Sequence, residues 1–165
     1  MTETSPGTAV IDAAAADERS TLEVFLEYYR DAVIRKVSGI SEDGARRRLV
    51  PSATTLGGLI KHLRLVEKRW FSLALVGAAI PKEHPDAEFQ PTPEDTVDGL
   101  IADYQRQCAE SRRIAARYAL TDTGSHPELN AVSLRWIYVH LIEETARHAG
   151  HADILREQID GTVGE

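Results

Sequence analysis

The sequence predicts an all-α protein, a four-helix bundle with a crossover connection. Three observations predict it. Apolar residues recur at three- and four-residue steps in four separate segments. No segment alternates apolar and polar residues as a half-buried strand does. Several of the intervening stretches exceed about ten residues, enough to cross a bundle rather than turn back at once.

Residues 1–17 read as a loosely ordered lead-in, and 18–161 as one domain. "STLE" at 20–23 has the form of a capping box, with Ser20 and Glu23 satisfying each other's backbone N–H groups. The first helix follows to about residue 37, burying Leu22, Phe25, Leu26, Tyr29, Val33 and Val37. "SEDGARRRL" has room for a short helical turn before Pro51. The second helix starts near Thr54 or Thr55 and runs to Val76, striped by Leu56, Leu59, Leu63, Val66, Trp70 and Leu73. Gly57 and Gly58 cost helix propensity in its first turn, which points to a close backbone approach there. Pro81, Pro85 and Pro91 then break regular structure. "TPED" at 92–95 opens the third helix, with Thr92 as cap and Pro93 at the first helical position. That helix runs to about Tyr118, with Cys108 packed as a small apolar residue. "TDTGSHPEL" is a loop, and Ser133 caps a fourth helix that ends before Gly161. The polar run Glu67, Lys68, Arg69 reads as a solvated face, and His84 and His126 as surface residues of proline-containing loops.

Composition narrows the function. Among 165 residues, 42% are hydrophobic and 27% charged, as in soluble globular proteins. A net charge of −7 argues against nucleic acid, which selects a basic face. No apolar run is long enough to cross a bilayer, and the first twenty residues lack the basic and apolar regions of a secretory leader. With a single cysteine no internal disulfide can form, so a cytoplasmic location is expected. Alanine is abundant and arginines outnumber lysines, a bias expected of a GC-rich genome such as an actinobacterial one.

The fourth helix carries the chemistry. Stepping from Ile137 by four, three and four residues gives Leu141, Glu144, His148, and then Ala152 or His151 before Leu155. Glu144 and His148 thus fall in an apolar stripe, where an unpartnered carboxylate costs several kcal/mol or more. Residues four apart on a helix point the same way, so this pair can grip one metal ion. His62, beside Leu59 and Val66 on the second helix, supplies a third donor. Plainer readings stand beside this one: an intrahelical ion pair for Glu144 and His148, and a hydrogen-bonded core histidine for His62. His151 fits either a fourth ligand or a group just outside the ligands, and His140 a pairing with Glu144.

The histidine within "VPSATTLGGLIKHL" and the Glu-x-x-x-His of "HLIEETARHAGHADILREQIDG" resemble the DinB/YfiT-like superfamily of metal-binding proteins, over most of the chain. The resemblance implies a four-helix bundle with a crossover, a homodimer, and a metal held by His62, Glu144 and His148. The usual set is three histidines. A glutamate in place of the first of the fourth-helix pair is similar to the mycothiol-dependent maleylpyruvate isomerases, although their extra C-terminal domain has no room here. The resemblance further implies a divalent ion, with zinc ahead of nickel, iron or manganese, and mycothiol as cosubstrate. The ion would hold the thiol as thiolate for attack on a small electrophile, giving S-transfer or thiol-assisted isomerisation. His151 or His140 would then orient a ligand or move a proton. Rival readings are a metal-dependent hydrolase, a non-catalytic metal-binding stress protein, and, last, a non-haem iron oxygenase.

Overall fold

The computed structural model describes residues 6–79 and 88–163. Pro81, His84 and Pro85 lie outside the described residues. Helix α1 (Pro6–Asp12) and a 3-10 turn (Ala13–Ala15) lead into four long helices and one short one: α2 (Glu18–Val37), α3 (Glu42–Arg46), α4 (Leu56–Glu67), α5 (Val97–Ala115) and α6 (Leu134–Asp160). Helix α2 lies along α6 and α4 along α5, while α4 also meets α6. Consecutive helices α5 and α6 scarcely touch, so their connection crosses the bundle.

Three helix starts show which polar residue wins a cap. Asp17, not Ser20, caps α2: its carboxylate accepts from the Ser20 N–H (3.1 Å) and the Ser20 hydroxyl (2.6 Å). A full charge at the positive end of the helix outcompetes a hydroxyl inside the first turn. Thr96, not Thr92, caps α5 by accepting from the Gly99 N–H. "TPED" instead closes a turn in which Asp95 accepts from the Thr92 N–H (2.7 Å) and from Lys61 (2.9 Å). Ser133 caps α6 as expected, and Gly161 ends it with φ 78°.

The second helix does not continue uniformly to Val76. After Glu67 it widens into a π-helical run, Lys68–Leu75, that leads into the loop. The loop expected after α5 contains a two-stranded antiparallel hairpin, β1 (Thr123–His126) and β2 (Asn130–Ser133). Its strands are four residues long, too short to show an alternating pattern. Gly124 lets the hairpin press on the π-helical run, since a Cβ there would lie 2.0 Å from the Ala74 carbonyl oxygen.

The core has two parts, one around Val33, Leu59, Tyr104 and Leu155, the other around Leu26, Phe71, Ile137 and Leu141. The expectation of a solvated Glu67 is overturned here. Glu67 is 1% exposed and accepts from Arg30 Nε (2.8 Å) and Nη2 (2.6 Å), with Arg30 itself 3% exposed. The reason is a partner 37 residues away, invisible to local patterning. Burial opposes the Arg30 charge most strongly, but Glu67, with Glu27, Cys108 and Tyr104 adding to it, outweighs burial and keeps the guanidinium firmly protonated. Cys108 is buried as expected.

Candidate metal centre

Helix α4 carries His62 and α6 carries Glu144 and His148. The apolar seam of α6 runs through Leu141, Thr145, Ala149 and Ala152, all buried. Glu144 and His148 lie just beside that seam, with side chains 15% and 12% exposed, turned toward α4. Each of the three residues offers one ligand atom, and these atoms lie within 4.8 Å of one another. His62 Nε2 and His148 Nε2 each stand 3.2 Å from the same oxygen, Glu144 Oε1. Two donors at about 2.1 Å from a tetrahedral ion are about 3.4 Å apart, so the spacing suits a shared cation.

The outer side of each ring decides its proton. His62 Nδ1 is 3.4 Å from Glu88 Oε2, and His148 Nδ1 is 3.3 Å from His151 Nδ1. Protonated on Nε2, both rings donate to Glu144, and these hydrogen bonds, from His148 first and His62 second, hold its carboxyl well below the usual carboxylate range. Protonated on Nδ1, both rings donate outward instead. Their Nε2 lone pairs then join Oε1 as three acceptors facing one point, an arrangement that a cation satisfies. The trio is thus suited to exchanging protons for a metal ion.

Glu88 was missed in the sequence, where nothing singles it out from the neighbouring acids Glu83 and Asp86. It is 7% exposed and accepts from both terminal guanidinium nitrogens of Arg69, Nη1 at 2.9 Å and Nη2. Burial pushes its carboxyl up most strongly, but the Arg69 hydrogen bond and charge, with His62 adding to them, together leave it below the usual value. Arg69, expected on a solvated face, is therefore part of the support for His62. Phe89 stacks on the His62 ring at 4.1 Å and 18°. The glycines of α4 permit this: a Cβ on Gly58 would lie 2.2 Å from the Phe89 carbonyl oxygen.

The other histidines lie outside the trio. His151 is exposed and reaches it only through His148. His140 joins a cluster of rings, stacked on Trp136 (5.0 Å, 11°) and edge-on to Trp70 (4.6 Å, 62°), and burial lowers its pKa. His126, expected at the surface, stacks on Trp70 from the hairpin at 4.8 Å. The hairpin fold, unseen in the sequence, brings it there.

Among the described residues no helix is long and apolar enough to cross a membrane. A comparison with curated proteins finds no match. A family model described as mycothiol-S-transferase matches residues 21–161, a span that holds all the long helices but the first turn of α2, together with His62, Glu88, Glu144 and His148. On that match, and with its helical bundle of the DinB/YfiT-like kind, the chain belongs to the mycothiol-S-transferase family.

Proposed function

We propose that this protein is a divalent-metal-dependent S-transferase that joins mycothiol to a small electrophile, with His62, Glu144 and His148 holding the ion. The observation that carries the proposal is the convergence of three acceptor atoms within 4.8 Å in a chain of this family. Two histidines and one carboxylate suit zinc, and nickel, iron and manganese accept the same donors. When bound, the ion supplies positive charge and an open coordination position that stabilise a thiol as thiolate.

The residues of the chain do the rest. Glu88 and His151 fix the two rings from outside, Phe89 covers one face of His62, and Glu144 balances part of the positive charge. In the transfer the thiol proton passes to solvent. The sulfur pair forms the new S–C bond, and the displaced pair goes to the leaving group, or to a carbonyl oxygen when the reaction is an addition. A structural site would close with a fourth protein donor. Among the described residues the cluster holds three, and catalysis requires that the fourth position stay open. A homodimer, which rests on the family, and a cytoplasmic location, which rests on the single cysteine, belong to the same proposal.

Cobalt(II) in place of the native ion makes the test optical. Titrating the cobalt protein with mycothiol should produce thiolate-to-cobalt charge-transfer absorption, which His148→Ala should lack. A cobalt protein whose spectrum ignores the thiol would refute the proposal.

A further inference from the structure

Between the α3–α4 connection and the C-terminal half of α6 runs a groove of about 370 Å³, lined by Val50, Ser52, Thr54, His151, Ile154 and Leu155. None of these side chains is an acid, lysine or arginine. Leu155 is buried at 3% exposed, whereas Ile154 and Val50 stand 57% and 36% exposed. Exposed apolar side chains scattered singly need no explanation, but here two of them flank a buried leucine in one concavity.

The groove approaches the metal centre through His151, whose Nδ1 is 3.3 Å from the outer nitrogen of His148, Nδ1. When His148 donates from Nδ1, His151 Nδ1 is the acceptor and its proton sits on Nε2. The groove then has the His151 Nε2–H as a donor at its metal end, the Ser52 and Thr54 hydroxyls along one side, and Val50, Ile154 and Leu155 as its apolar part. The same connection has a second groove on its other side, of about 230 Å³, lined by Arg46, Arg48, Ala53, Thr55, Phe89, Gln90 and Pro91. Alternate residues of the extended stretch face opposite ways, Ser52 and Thr54 into the first groove, Ala53 and Thr55 into the second. An S-transferase has two substrates to seat beside one reacting centre, and these two hollows differ in polarity.

We propose that the apolar groove is the acceptor subsite. It takes an uncharged, carbonyl-bearing electrophile with an apolar chain or ring, the carbonyl toward His151 and the chain over Leu155 and Ile154. A charged acceptor would lose hydration there with no acid, lysine or arginine among the lining residues to balance it. The inference rests on the thiol-transfer reading above.

N-alkylsuccinimides carry the carbonyls and the chain but do not react with thiols, so they serve as probes. The full-length protein, methyl-labelled at Ile, Leu and Val, is titrated with the butyl, hexyl and octyl members and followed by NMR, with and without zinc. Saturable shifts are expected at Val50, Ile154 and Leu155. Affinity should rise about two- to fourfold per added methylene, the upper figure corresponding to ~0.8 kcal/mol. Ile154→Lys and Val50→Lys, both at exposed positions, should each weaken the hexyl probe about tenfold or more. Affinity independent of chain length, shifts confined to the arginine-lined groove, or unchanged binding in both variants would overturn the proposal. The cobalt experiment fails separately. If the probes bind here while cobalt ignores mycothiol, the groove stands as a binding site and the thiol-transfer reading falls.

Discussion

Glu88→Leu should damage the metal centre without touching a metal ligand. Glu88 Oε2 is the group facing His62 Nδ1, at 3.4 Å, a charge contact rather than a formed hydrogen bond, and that nitrogen is otherwise buried without a partner. Leucine removes the acceptor that holds the proton on Nδ1 and so frees Nε2. Losing such an outer partner typically weakens metal binding about 10- to 100-fold, or ~1.4 to 2.8 kcal/mol. Removing the facing carboxylate costs the metal-free fold at most about 1 to 3 kcal/mol, the full cost of stranding a buried donor. Arg69 adds little to that cost, because its side chain is 38% exposed and can turn to water. Glu88→Gln keeps an acceptor oxygen, so its loss of affinity should stay within about tenfold. Competition with a chromophoric chelator near neutral pH measures affinity, and urea unfolding of the metal-free protein measures stability. The carboxyl of Glu88 is depressed in the fold, so its contribution is complete above its ordinary value of 4.5 and is lost as pH falls through the lower folded value. The stability gap between wild type and Glu88→Gln should therefore close in acid. Zinc affinity in Glu88→Leu equal to wild type would refute the reasoning.

Three further outcomes follow from the same geometry. His151→Ala should lower zinc affinity by about 10- to 100-fold, whereas Glu144→Ala should lower it more; equal losses in a chelator competition would make His151 a ligand. Cys108, buried with its thiol pushed up to about 12, should resist iodoacetamide in the native protein at neutral and mildly alkaline pH, and rapid labelling by mass spectrometry would contradict its burial. Since 12 lies above the ordinary thiol value of 9.0, stability should also decline as pH climbs from one value to the other. Arg30→Met alone should cost about 3 to 5 kcal/mol by stranding Glu67, and adding Glu67→Leu should recover much of that in urea unfolding; a double variant no more stable than the single one would count against a compensated pair.

The sequence made the bundle legible because α4, α5 and α6 repeat apolar residues at helical intervals and because a carboxylate beside a seam needs a partner. His62, Glu144 and His148 could be named together since two share a helix face and the third lies beside an apolar stripe. Distant pairings were out of reach. Glu67 looked solvated because Arg30 belongs to another helix, and Glu88 looked like any loop acid because its role depends on which way the chain returns over α4. The hairpin escaped because four-residue strands show no period, and its discovery moves His126 from the surface onto Trp70. The caps were misplaced at α2 and α5 because several adjacent residues could cap, and only backbone geometry chooses among Asp17, Ser20, Thr92 and Thr96.

The absent side chain of Gly58 gives the metal centre a steric tuning point. A methyl group there would meet the Phe89 backbone at 2.2 Å, closer than real Cβ contacts come, so the 88–91 strand of chain would have to retreat. Phe89 and Glu88 would retreat with it, shifting the ring that covers His62 and the carboxylate that aims it. Ligand identity and ligand precision are therefore specified at separate positions of this protein. An engineer could grade the affinity or metal preference of the centre through residue 58, leaving all three donors in place.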